Sequence, residues 1–130
     1  IIGDNPDKIT EAIQEWLDQG ADFVVCTGGM SVDPDDMTPS ATKQTGAEVV
    51  SYGAPVLPGA MFLLAYMKDG RPIMGLPGCV MYAKRTIFDL VLPRVMADVP
   101  VTKADLAKMG AGGLCLNCPT CIFPNCGFGK

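Results

Sequence analysis

Thr27-Gly28-Gly29-Met30-Ser31-Val32-Asp33-Pro34-Asp35-Asp36-Met37-Thr38-Pro39 follows directly on a short apolar run, Asp22 to Cys26. The apolar run reads as a buried strand. Two glycines at its end leave no Cβ in the way, so a ligand can approach the backbone closely. Asp33, Asp35 and Asp36 follow within a few positions, and Thr38-Pro39 predicts a helix start, with Thr38 as N-cap and Pro39 in the first helical position. A helix N-terminus offers unpaired N–H groups to an anion, and adjacent carboxylates can hold a divalent cation. Strand, glycine turn, acidic loop and helix describe a site for a phosphorylated ligand. The same residues also read as a surface loop rich in turn formers.

Outward from this stretch the chain alternates strands and helices. Ile9, Ile13, Trp16 and Leu17 recur at three- and four-residue steps, which predicts a helix from Pro6 to Gln19, with Asn5 as N-cap and Gly20 as stop. A short helix from Pro39 to about Thr45 should end at Gly46. A strand at Ala47 to Tyr52 follows, then a turn at Val56-Leu-Pro-Gly59. Met61–Met67 and Pro72–Leu76 are apolar runs joined by Lys68-Asp-Gly70-Arg71, a good hairpin turn. Val80 to Ala97 reads as a long helix that Pro93 should kink or divide. Thr102 should cap a last short helix, Lys103 to Met109. Such alternation predicts an α/β layer fold with a largely parallel sheet, and in such sheets ligands sit at the carboxyl ends of the strands.

Composition narrows the function. The chain has 130 residues, 48% of them hydrophobic, a formal net charge of −4 and no histidine. It is long enough for a proper core, and no run reaches the roughly 18 apolar residues of a membrane span. The acidic balance argues against nucleic-acid binding. Without histidine, any proton transfer falls to carboxylates, Lys, Tyr, Cys or water.

Thr27-Gly28-Gly29 followed by Asp36-Met37-Thr38-Pro39 resembles the signature of the molybdopterin-binding domain family of molybdenum-cofactor biosynthesis. A second element, Gly75-Leu76-Pro77-Gly78, resembles the family's Leu-Pro-Gly turn opening a helix. A third is Asp4, just after an early strand. The resemblance runs from Ile1 to about Asp98. It implies a three-layer α/β sandwich with a mostly parallel sheet over residues 1–110, preceded in the family by a strand and helix, so that the chain is expected to be part of a longer, cytoplasmic protein or to lack that first unit. It implies catalytic or metal-positioning roles for Asp4 and Asp36. Thr27, Gly28, Gly29, Ser31, Asp33, Thr38, Pro77 and Gly78 are implied to bind the pterin and its phosphate. Mg²⁺, molybdopterin and ATP are the implied ligands, other molybdenum-cofactor proteins the implied partners, and a homo-oligomer, trimeric in the family, the implied assembly. The implied chemistry is adenylyl transfer or molybdate insertion, in which Mg²⁺ bridges phosphate oxygens and backbone N–H groups fix them.

Two other functions stay open: nucleotide pyrophosphate hydrolysis, as in the competence-damage-inducible proteins with a similar loop, and a non-catalytic pterin-binding or carrier module whose cysteine tail serves redox chemistry or docks a partner. Taken without the resemblance, Asp36 reads as a helix-terminal charge and Asp4 as a turn residue. Where the family's second turn continues with a polar residue and Pro, this chain has Cys79-Val80. Lys43, Lys84 and Arg85 are the candidate phosphate cations.

Beyond Gly110 the composition changes, and residues 111–130 form a cysteine-rich tail. Cys115, Cys118, Cys121 and Cys126 follow the spacing C-x2-C-x2-C-x4-C, dense enough for one tetrahedral zinc or one iron–sulfur cluster. Disulfides or free thiols are the alternatives, and a reducing cytosol disfavours the disulfides.

Overall fold

The computed structural model describes residues 1–30, 33 and 35–130. Two compact units result: Ile1–Tyr52 with Met61–Gly78, and Gly53–Ala60 with Cys79–Lys130. The cysteine-rich segment therefore belongs to the second unit together with the residues from Cys79 onward. Among the described residues no helix is long and apolar enough to cross a membrane.

The first unit contains α1 (Pro6–Asp18), β1 (Val24–Thr27), α2 (Thr38–Gln44), β2 (Glu48–Tyr52), β3 (Leu63–Tyr66) and β4 (Pro72–Leu76). Asn5 caps α1: its Oδ1 accepts from the N–H groups of Asp7 and Lys8 at 3.0 and 3.1 Å, which satisfies two of the free donors at a helix start. Ile13 and Leu17 of α1 pack with Ala47, Ala65 and Ile73 into one core. Trp16 departs from the expected apolar face, with 59% of its surface exposed. The strand order is β1-β4-β3-β2, which confirms an α/β architecture but corrects the direction of the sheet. Only β1 and β4 run parallel; β3 is antiparallel to both β4 and β2. The hairpin turn explains the β3–β4 pair. Gly70 at φ +90° closes it, the Met67 and Gly70 N–H groups donate to Arg71 and Met67 carbonyls at 2.9 Å, and so short a connection can join only antiparallel strands. From this turn Arg71 Nη1 reaches back to the carbonyls of Leu17 and Ala21, at 2.6 and 3.2 Å.

The second unit contains α3 (Ile87–Met96) and α4 (Lys103–Lys108). Thr86 with Asp89, and Thr102 with Asp105, form capping boxes at their starts. The expected long helix from Val80 is thus replaced by a 3-10 turn at Gly78–Met81 and a fresh start at Thr86. Pro93 sits inside α3 without dividing it; the break comes earlier, where Thr86 and Asp89 satisfy each other's backbone. Val56, Ile87, Val91, Val101 and Leu106 form the buried interior. The C-terminal segment is tied in by backbone bonds: Leu57 N–H to Gly113 carbonyl at 2.6 Å, Cys115 N–H to Leu57 carbonyl at 2.8 Å, and Gly129 N–H to Gly112 carbonyl at 2.7 Å.

Candidate ligand-binding site

Thr27 ends β1 opposite Leu76, the last residue of its parallel neighbour β4. Both strands therefore deliver their following turns to the same end of the sheet. Gly28 and Gly29 adopt φ of +85° and +59°, conformations that side chains other than glycine tolerate poorly. A Cβ at Gly28 would stand in open space, whereas one at Gly29 would lie 2.7 Å from Thr38 Oγ1. Gly28 is thus the point of open approach, and Gly29 the point of tight packing.

Thr38 is not the N-cap that its sequence position predicts. Met37 occupies that position without a side-chain bond, and the Thr38 hydroxyl donates instead to the Gly28 carbonyl at 3.0 Å. The Thr38 N–H also reaches the Gly29 carbonyl at 3.3 Å. Two bonds from the start of α2 therefore fix the shape of the glycine turn. Pro39 stands in the first turn as expected.

A cavity of about 380 Å³ opens at this point, lined by Asp4, Thr27, Gly28, Gly29, Thr38 and, from α1, Trp16 among others. Its volume is in the range of small-molecule sites. Five expected site residues share it. Asp33 and Asp36 line a separate groove of about 500 Å³, with Lys43 and Tyr52. The two features border one another in sequence, since Thr38 lines the cavity and Pro39 the groove. Pro77 is buried and Gly78 exposed directly after β4, and neither lines these two spaces. Ser31 lies outside the described residues.

Asp36 Oδ2 is buried and has no hydrogen-bond partner among the described residues. A buried carboxylate oxygen costs free energy unless something pairs with it, so this atom marks a place suited to a cation or a donor. Its charge is felt nearby: burial first, and the Asp36 carboxylate second, push the Tyr52 phenol above its usual range. The Tyr52 hydroxyl donates to the Met30 carbonyl at 3.3 Å, so β2 also supports the loop. Cys26 lines the Asp4 cavity, but burial pushes its thiol up to about 11, which makes it a poor nucleophile.

Sequence reasoning missed Trp16 and Tyr52 as residues of these spaces. Trp16 falls on the apolar period of α1, and nothing in the period separates a core position from one at the edge of a cavity. Tyr52 ends a strand, and only the pairing of β2 shows which loop it meets.

In the second unit, Cys115, Cys118, Cys121 and Cys126 line one cavity of about 450 Å³, together with Lys84 and Arg85. All six cysteines are free thiols. Among the described residues no group of three or more His, Cys, Asp or Glu side chains is gathered so as to hold a single metal ion. The four thiols of the tail thus share the lining of one cavity. Lys84 and Arg85, expected as phosphate ligands, face this space, while Lys43 is the expected cation that lies near Asp36.

Comparison with known proteins bears on the family of the chain. A family described as "Probable molybdopterin binding domain" matches residues 1–97. A "Molybdenum cofactor biosynthesis bifunctional protein" of Chlorobaculum tepidum is 25% identical over 115 residues, covering 81% of this chain and 36% of that protein. The crystal structure of a molybdopterin biosynthesis MoeA protein from Pyrococcus horikoshii superimposes with a TM-score of 0.56 at 27% identity, covering 73% of this chain and 22% of that one. The chain therefore spans well under half the length of either relative.

Proposed function

We propose that this chain, which belongs to the molybdopterin-binding domain family, binds the phosphate end of molybdopterin in the Asp4 cavity and serves molybdenum-cofactor biosynthesis. The observation that carries the reading is the juxtaposition of Asp4 with Thr27, Gly28, Gly29 and Thr38 around one cavity. The open Cα face of Gly28 admits an anion to the backbone. Trp16, exposed at the same cavity, offers a flat apolar surface for the pterin ring. The names of the two relatives support the pathway.

Magnesium fits the adjoining groove. Asp36 Oδ2 is buried without a partner, Asp33 lines the same space, and Mg²⁺ is commonly held by one or two carboxylates plus substrate phosphate oxygens. Bound there, the ion would neutralise charge on a phosphate during adenylyl transfer or molybdate insertion. This chain's own part is to hold the pterin phosphate against the glycine turn, to position the metal through Asp36 and Asp33, and to orient the substrate through Asp4. In the intact protein these steps complete the transfer, with further copies of the chain or other cofactor-biosynthesis proteins as partners.

Calorimetric titration of the full chain with molybdopterin tests the reading. Asp4→Ala, an exposed position, should weaken binding at least about tenfold, equivalent to about 1.4 kcal/mol, with an unchanged circular dichroism spectrum. Gly28→Val, which puts a side chain into the open approach, should abolish binding. Equal affinity in the parent and both variants would overturn the assignment of this cavity.

A further inference from the structure

The cavity of the second unit has a chemistry of its own. Four thiols, from Cys115, Cys118, Cys121 and Cys126, share its lining with three cationic side chains, Lys84, Arg85 and Lys130, and no carboxylate side chain is among the lining residues. The rest of the wall is largely apolar, with Ile122, Phe123 and Phe128 contributing. Such a composition suits an anionic, thiolate-bearing centre.

The scaffold is fixed by bonds that do not involve sulfur. Lys84 Nζ donates to the Cys118 carbonyl at 3.2 Å and Lys130 Nζ to the Pro124 carbonyl at 2.6 Å. The Arg85 guanidinium lies 5.2 Å from the centre of the Phe123 ring, and Phe123 meets Phe128 edge to face at 6.4 Å. Asn117, with φ +50°, turns the chain between the first two cysteines. These contacts hold the four cysteine positions around the cavity.

The first three thiols follow the C-x2-C-x2-C spacing of iron–sulfur ligand runs. A cubane cluster presents one iron at each of four separated corners, which four thiols lining one cavity of about 450 Å³ can meet one by one. We propose that this cavity is the binding site of a [4Fe–4S] cluster ligated by Cys115, Cys118, Cys121 and Cys126. Assembly from two ferrous ions, two ferric ions and four sulfides gives a core charge of about +2; four thiol S–H bonds break, four Fe–Sγ bonds form, and four protons pass to solvent. The product carries a charge of about −2, which Lys84, Arg85 and Lys130 offset, and no electron is gained or lost in the step.

The test uses the full chain, prepared anaerobically and treated with ferrous and ferric iron in equal amounts and with sulfide, with a parallel sample given zinc. The iron sample should hold about four iron and four sulfide per chain, with visible absorption that bleaches on reduction. Cys118→Ser combined with Cys121→Ser should lose this cluster, and Cys79→Ser should retain it. Should the double variant unfold, alkylation of the parent decides: the cluster must shield Cys115, Cys118, Cys121 and Cys126 from reagent. Stoichiometric zinc with failure to take up iron would overturn the proposal. So would iron binding that survives the double substitution, or tail thiols that remain reactive in the iron-loaded chain. None of these readouts depends on pterin binding, so this site and the Asp4 cavity stand or fall separately.

Discussion

Met30 closes over Gly75: a Cβ built on Gly75 would lie 2.5 Å from Met30 Sδ and 3.0 Å from Leu63 Cβ. The absence of a side chain in the middle of β4 is what lets the residue following the glycine turn seat itself on the sheet, where Met30 is 3% exposed. Gly75→Ala should therefore displace Met30 and the turn with it. Overpacking of this kind costs about 1–3 kcal/mol, measurable by urea unfolding. Molybdopterin affinity should fall in the same variant, because Gly28 and Gly29 lie directly before Met30.

Asp36→Asn should preserve the fold, since the amide is nearly isosteric and can donate where the carboxylate could not. Magnesium-dependent turnover of the intact protein should fall at least about tenfold, or about 1.4 kcal/mol in the barrier. Rate measurements across a magnesium titration check this; an unchanged rate would leave Asp36 a structural charge.

Arg71→Met should loosen the end of α1. The guanidinium serves the Leu17 and Ala21 carbonyls, and methionine replaces its length without its donors. With the side chain 30% exposed, water recovers part of the loss, so about 1–2 kcal/mol is expected in chemical denaturation.

Cys26 predicts an alkaline weakness. Burial raises its thiol from 9.0 to about 11, so below about pH 9 it is neutral both folded and unfolded, and its contribution is fully present. Between about pH 9 and 11 the unfolded chain ionises first, and stability falls by up to about 2–3 kcal/mol. Comparing the parent with Cys26→Ala across that window isolates the effect from other titrating groups. Alkylation of Cys26 at pH 8 should also run roughly a hundredfold slower than that of an ordinary exposed cysteine.

Local signals were legible where a residue's partners lie close in sequence. Asn5 capping α1, the Gly70 turn and the Thr102 cap of α4 all follow from neighbours within a few positions. The sheet direction was not, because alternation of strands and helices says nothing about which strands pair, and β3 returns against two neighbours. Thr38 shows the same limit: its hydroxyl has a local capping role available, yet a carbonyl ten positions back, Gly28, claims it. Pro93 marked a break that Thr86 and Asp89 had already made upstream. At the site, the Thr-Gly-Gly turn and Asp4 were legible as motifs. The separation of Asp36 into a neighbouring groove depends on the path of the loop in space, and the cysteine spacing alone cannot separate one centre from a shared space.

Neither unit is a continuous stretch of chain: residues 53–60 interrupt the first and belong with the second. Leu57 is paired there with Leu114, and Gly110 packs against Pro55, whose Cγ would lie 2.9 Å from a Cβ at that glycine. Synthesis therefore delivers the strands of the sheet before the partner of residues 53–60 exists. A polypeptide ending at Gly78 would hold all four described strands, yet lack Gly113 and Cys115, whose backbones bond to Leu57. No single proteolytic cut can release either unit intact, and residues 53–60 meet their partners in the second unit only once residues 110–115 have been made.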